Sequence, residues 1–212
     1  PKISIQADGV TYAYNYDPNG TYKANNFAEL TTTTDKWSDT ENSDPMDDVS
    51  VAIDAVEEAT GERPSIMIVS KKTMNYLKQN KKIKSAVLAQ NTTANVFMTD
   101  ARVKELFSTE LGISIIVYTK QYKDESGTAH KFYPDGFATL IPNGALGSTW
   151  YGTTPEERTL MGNPATDVRL VNTGVAVAVS VTEDPVQTKT TVSEIVLPSY
   201  ERMDSTYVIK CY

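Results

Sequence analysis

Residues 133–162 read YPDGFATLIPNGALGSTWYGTTPEERTLMG, a run that mixes turn-forming residues with large apolar side chains. Pro134, Gly136, Pro142, Asn143, Gly144, Gly147 and Gly152 force the backbone to change direction. Phe137, Leu140, Ile141, Leu146, Trp150 and Tyr151 each need an apolar environment. This mixture excludes one long uninterrupted element, and it carries too many large apolar groups for an ordinary solvated loop. The segment must turn tightly and still bury itself against something. It supplies no nucleophile beside a base, no metal cluster and no phosphate cradle, so contact with neighbours accounts for it better than chemistry does.

Upstream, Ile3, Ile5, Val10, Tyr12, Tyr14 and Tyr16 alternate with period two, the pattern of strands. Asp17-Pro18-Asn19-Gly20 is a turn, because Pro fixes φ and Gly supplies positive φ, and Tyr22 onward is expected to return as a second strand. Such a polar, two-stranded excursion has no core face of its own. A helix follows, with Asp44 as its cap, Pro45 at its first position, and Asp47 and Asp48 at the positive end of its dipole. Met46, Val49, Ile53 and Val56 form its apolar stripe, Gly61 ends it and Pro64 prevents its resumption. Residues 66–69 predict a short buried strand. Three more helices then turn Met74 and Leu77, then Ile83, Val87 and Leu88, then Val103, Leu106, Phe107 and Leu111 inward. The last of these starts at Thr99 or Asp100 and closes at Gly112.

Strands are expected at 113–118, in a hairpin over 121–133 folded about Glu125-Ser126-Gly127, and at 137–141. Thr154-Pro155-Glu156-Glu157 opens a short helix. Residues 175–181 read as a second buried strand, and 193–197 is expected to pair with 206–212. Helices and strands mix without a regular βαβ repeat, so the fold class is α+β.

The chain of 212 residues suits one sizeable domain or two small ones. A net charge of −7 argues against general affinity for nucleic acid, which needs a basic surface. No apolar run is long enough to predict a transmembrane helix. The single Cys211 cannot form an internal disulfide. Ser-His-Asp or Cys-His catalysis would have to run through His130, the only histidine, which sits in a polar hairpin beside Lys131. Cys211 lacks a basic partner that would activate it. Glu156 and Glu157 suggest acid/base chemistry, but Thr154-x-x-Glu157 is a capping box. Asp44, Asp47 and Asp48 lack the Gly and Glu of a calcium loop and are read as helix caps. No nucleotide-binding glycine motif occurs. The residues therefore assign no catalytic, cofactor-binding or metal site. Lys71, Lys72, Lys78, Lys81, Lys82 and Lys84 crowd one region, and Asp35, Asp39, Glu41, Asp44, Asp47 and Asp48 another. They form two solvated faces or meet across copies of the chain; a third reading, lysines facing nucleic acid, is opposed by the net charge and by aromatic interleaving limited to Tyr76.

Two runs carry a resemblance: LIPNGALGSTWYGTTPEE at 140–157 and LPSYERMDSTYVI at 197–209. With Trp37-Ser38-Asp39, Asp44-Pro45, residues 61–70 and Asp184-Pro185, the chain resembles the major capsid protein E family of tailed bacteriophages. That resemblance implies an HK97-like capsid fold. An extended hairpin, the E-loop, would occupy residues 1–43, and the peripheral-domain spine helix and strand 44–72. An axial-domain-like α/β region would occupy 73–174, and C-terminal strands returning to the peripheral domain 175–212. The implied function is a structural, non-enzymatic subunit of an icosahedral phage or prophage capsid. It would self-assemble into pentamers and hexamers that enclose double-stranded DNA, with no cofactor and no membrane.

The implied partners are copies of the chain itself, scaffold, portal and decoration proteins, and packaged DNA bound without sequence specificity. Its implied place is the virion shell, after synthesis in the bacterial host cytoplasm. Subunit contacts are expected at Asn143, Gly144, Leu146, Gly147 and Trp150, where axial domains gather, and at Tyr22 and Trp37. Some HK97-like shells crosslink through Lys, Asn and Glu, and no residue here matches that trio. Family members begin with a further N-terminal segment, so a start at Pro1 inside an alternation reads as a truncated or processed product. The alternatives are a phage tail or baseplate structural protein, also β-rich and acidic, and a carbohydrate-active domain using carboxylates and tyrosines. The two C-terminal runs favour the capsid reading.

Overall fold

The computed structural model describes residues 2–7, 10–90, 97–162, 168–172, 174–183 and 186–212; the Asp184-Pro185 pair lies outside them. The chain divides into two compact units, Pro1–Gly144 with Arg202–Tyr212, and Ala145–Glu201.

In the first unit the initial alternation forms an antiparallel hairpin, β1 (Lys2–Ala7) with β2 (Val10–Asn15), Ile3 standing opposite Tyr14. The expected return strand at Tyr22 does not form. The Asp17 carboxylate instead accepts the N–H groups of Tyr22 (3.1 Å) and Lys23 (3.0 Å) and starts a short helix, α1 (Thr21–Asn25). A side-chain acceptor that satisfies first-turn donors favours helix over ladder. After β3 (Phe27–Glu29), α2 (Pro45–Thr60) runs between the expected caps: Asp44 accepts from the Asp47 N–H, and Gly61 closes it at φ 71°. Val49, Ala52, Ile53 and Val56 are buried along one side.

β4 (Ile66–Ser70) leads into α3 (Lys71–Gln79), whose first turn Ser70 caps, then α4 (Lys81–Gln90) and α5 (Asp100–Leu111), capped by Thr99. Ile83 and Val87 of α4 are buried, whereas Leu88, expected inside, faces solvent. β5 (Ser114–Tyr118), the exposed hairpin β6 (Gln121–Lys123) with β7 (Ala129–Lys131), and β8 (Phe137–Ile141) follow.

The second unit holds β9 (Thr149–Gly152), α6 (Pro155–Gly162), β10 (Val168–Asn172), β11 (Val175–Glu183) and β12 (Val186–Pro198). Its antiparallel sheet has the order β10-β11-β12-β9. Thr154 Oγ accepts the Glu157 N–H at 3.2 Å, the capping half of the expected box. Gly147 lies hard against the chain at Ser199: a Cβ there would stand 2.5 Å from the Ser199 carbonyl oxygen. Two bonds of 2.7 Å, Ser199 N–H to the Ser148 carbonyl and Ser148 N–H to Ser199 Oγ, lock this approach. Two expectations are corrected here. Residues 193–197 pair with β11 and β9, not with 206–212. Residues 175–181 are not a buried strand, since Val179 and Val181 are exposed.

β13 (Tyr207–Lys210) belongs to the first unit, where the five-stranded sheet has the order β3-β13-β8-β4-β5. β13 runs parallel to β3 and antiparallel to β8, and β4 runs parallel to β5. Val49, Ala52 and Ile53 of α2 share one core with Met67, Val69, Met74, Leu77, Phe107, Leu140 and Ile209. Ile209 thus finds in α2 and the sheet the apolar surroundings its sequence demands, a burial contributing about 1.5–3 kcal/mol.

Candidate assembly surfaces

The residues weighed for chemistry take structural places. His130 Nε2 lies 2.8 Å from Asp124 Oδ2, and its ring stacks on Tyr122 at 5.3 Å, all on the exposed β6–β7 hairpin. Bonds from Ser126 and His130 hold the Asp124 carboxyl below its usual range. Cys211 is buried, and burial together with the Asp48 charge pushes its thiol well up, so it is protonated at neutral pH. Among the described residues no three His, Cys, Asp or Glu side chains group as metal ligands, and no helix is long and apolar enough to cross a membrane.

Two ion pairs join the lysine and acid clusters within one chain, and other lysines find partners outside the acid cluster. Lys81 pairs with Glu41 at 3.1 Å and Lys82 with Asp44 at 2.9 Å. Lys71 and Lys78 converge on Asp100 at 2.7 and 2.9 Å and hold its carboxyl low. Lys72 lies over the Tyr212 ring, 4.9 Å from its centre. These internal pairs leave less charge for contacts between copies than the sequence pattern suggests.

The expected contact residues separate into two groups. Trp37 has no exposed surface, and its indole N–H donates to Asp48 Oδ2 at 2.8 Å. Tyr22 is buried with its hydroxyl 3.0 Å from Thr206 Oγ1. Both rings are taken up inside the chain and present no side chain to a neighbour. Each is an isolated aromatic in a polar segment, with no local sign of its polar partner. Asn143 and Gly144, in the first unit, are exposed. In the second unit Leu146 and Gly147 are half-buried and Trp150 is 64% exposed.

The second unit also carries a surface that alternation alone did not reveal. Residues opposite one another on paired strands share a face. Register therefore sets Val177 beside Val192, Val179 beside Thr190, Val181 beside Thr188, and Tyr151 beside Val196. Val179, Val181, Val192, Val196 and Tyr151 are all exposed, Val181 and Val192 by about two-thirds (65% and 64%). The opposite face sets Trp150 beside Leu197, with Ile195 two residues away, again all exposed. Past the end of β10 the β11–β12 ribbon is two strands wide among the described residues. A valine-rich ribbon exposed on both faces is marginal in water, and exposed apolar area of this kind is what protein contacts bury.

Comparison with solved structures gives the same kind of fold. A phage-related protein from Bordetella bronchiseptica RB50 aligns with a TM-score of 0.57 at 16% identity, over 88% of this chain and 56% of that one. A prophage protein of Escherichia coli CFT073, named as a candidate capsid protein, aligns with a TM-score of 0.63 at 19% identity, over 100% of this chain and 59% of that one. The chain thus spans a little under three-fifths of each. Curated proteins give no match. The sequence profile of phage major capsid protein E matches residues 2–210. With a match over nearly its whole length, and a mixed α+β architecture like that of phage capsid-related structures, the chain belongs to the phage major capsid protein E family.

Proposed function

We propose that the chain is a structural subunit of an icosahedral phage or prophage capsid, with an HK97-like fold, that assembles into pentamers and hexamers around double-stranded DNA. The single observation that carries this reading is the family match over residues 2–210. The exposed valine and aromatic surfaces of the second unit support it, since apolar area of that kind favours burial against another protein. In this reading residues 1–43 act as the E-loop-like arm and 44–72 supply the spine helix and strand. Residues 73–174 serve as the axial-like region and 175–212 as the returning strands. Asn143, Gly144, Leu146, Gly147 and Trp150 lie at contacts around the local symmetry axes. Rings of five or six are heterologous, so one patch meets a different patch and need not match itself.

A net charge of −7 suits a wall that holds DNA without adhering to it. Scaffold, portal and decoration proteins are the further partners. The subunit is made in the host cytoplasm and ends in the virion shell, and its role is non-enzymatic.

Electron microscopy of the full-length protein expressed alone tests the proposal, with closed shells or capsomer rings expected. Val192→Glu and Leu146→Glu should each leave a folded subunit, judged by circular dichroism, while abolishing particles in sedimentation. Normal particles from either variant would remove that residue from the contact. A protein that stays monomeric at all concentrations would overturn the assembly role.

A further inference from the structure

The chain contains two Asn-Gly dipeptides, Asn19-Gly20 and Asn143-Gly144. In such a pair the glycine nitrogen can attack the preceding carboxamide, because no Cβ keeps the two apart. The reaction needs an exposed asparagine and a glycine N–H that is free to lose its proton. The structure separates the two pairs on the second requirement.

At Asn19-Gly20 the Gly20 N–H is donated to the Asp17 carbonyl oxygen at 3.3 Å. The Asp17 carboxylate, bonded to the N–H groups of Tyr22 and Lys23, adds negative charge to the same turn and opposes deprotonation nearby. At Asn143-Gly144 both residues are exposed, Gly144 sits at φ 104°, and its N–H has no hydrogen-bond partner among the described residues. Arg202 Nη1 donates to the Asn143 carbonyl oxygen at 3.4 Å, while Nη2 of the same guanidinium is held by Glu62. That carbonyl and the Gly144 N–H are the two ends of one amide. When the nitrogen loses its proton the charge spreads onto the oxygen, where the guanidinium stabilises it.

We propose that Asn143 is a site of spontaneous self-modification, deamidating through Gly144 with Arg202 as the positioning residue that favours the reactive amide anion. The Gly144 nitrogen bonds to Asn143 Cγ, and the carboxamide nitrogen leaves as ammonia with the displaced proton, closing a five-membered imide. Water then opens one of the two ring C–N bonds and leaves aspartate or isoaspartate. One water is consumed, one ammonia is released and one negative charge is gained, beside an arginine already paired with Glu62. The isoaspartate product also lengthens the backbone by one methylene. The exposed loop therefore changes its charge and path with age. This holds whether or not the loop is a subunit contact.

The folded chain is incubated at mildly alkaline pH and physiological temperature, and peptides containing positions 19 and 143 are followed by mass spectrometry. Position 143 should convert at least about fivefold faster than position 19, with isoaspartate among the products, and the difference should vanish in the denatured chain. Equal rates in the folded protein would overturn the proposal. Arg202→Gln should slow conversion at 143 about threefold and leave position 19 unchanged. If Arg202 merely restrained the loop, its loss would speed conversion, so an unchanged or faster rate removes its role. Should that variant fold poorly, salt serves on the native chain: screening the guanidinium should slow position 143 and not position 19. No salt effect would count against Arg202 in the same way.

Discussion

Trp37 has no exposed surface, yet its ring carries an N–H that cannot be left bare, and Asp48 satisfies it at 2.8 Å. Trp37→Phe keeps much of the ring volume but leaves a small void and an unpaired acceptor, so it should cost about 2 kcal/mol in a denaturant titration. Burial pushes the Asp48 carboxyl above its ordinary value of 3.8; the Trp37 bond opposes this, and the charges of Asp44, Asp47 and Asp35 add to it. Its folded pKa therefore exceeds its unfolded one. Raising the pH through the interval between the two ionises the unfolded chain first and lowers stability. Asp48→Asn keeps an acceptor for the indole and removes that penalty. Its stability relative to the parent chain should rise as the pH is raised upward from the ordinary carboxyl value of 3.8, measured by thermal unfolding. A flat difference across that range would refute the assignment.

At the scale of elements, α3 and α5 are tied by Asp100, which holds both Lys71 and Lys78. These pairs are partly exposed, so Asp100→Asn should cost only about 1 kcal/mol at neutral pH. The two lysines lower the Asp100 pKa, so that contribution exists above its ordinary value of 3.8 and fades as pH falls through the lowered one. Parent and variant should converge in acid. Gly147→Ala would drive a Cβ into the Ser199 backbone and should destabilise the second unit by roughly 1–3 kcal/mol, read as lost protection in hydrogen exchange. Elements with local signals were legible in the sequence. The Asp44 and Thr99 caps, the Gly61 and Gly112 stops and the apolar stripe of α2 stand where the residues place them. What the sequence concealed was decided at a distance. Tyr22 turned inward because Asp17 captured two backbone donors and Thr206 met its hydroxyl. Val175 to Val181 looked like a core strand because β-branched residues fill buried and unpartnered strands alike. The Asn143–Arg202 approach joins residues far apart in the chain, beyond any local pattern.

In the whole molecule the five-stranded sheet is assembled out of chain order: β13 sits between β3 and β8, with all of Ala145–Glu201 intervening after β8. Deleting residues 207–212 should therefore unfold the first unit outright, since it strips Ile209 and Cys211 from the core and splits β3 from β8. Loss of the cooperative thermal transition is the expected result, and a native-like transition would contradict it. The same arrangement bears on birth as well as stability. While the ribosome is still making residues before 207, β3 and β8 have no strand to join them, and the unfinished sheet shows raw edges to the crowded cell. The first unit can close its sheet only after that stretch clears the exit tunnel, so its folding waits on the last residues of that strand to be made.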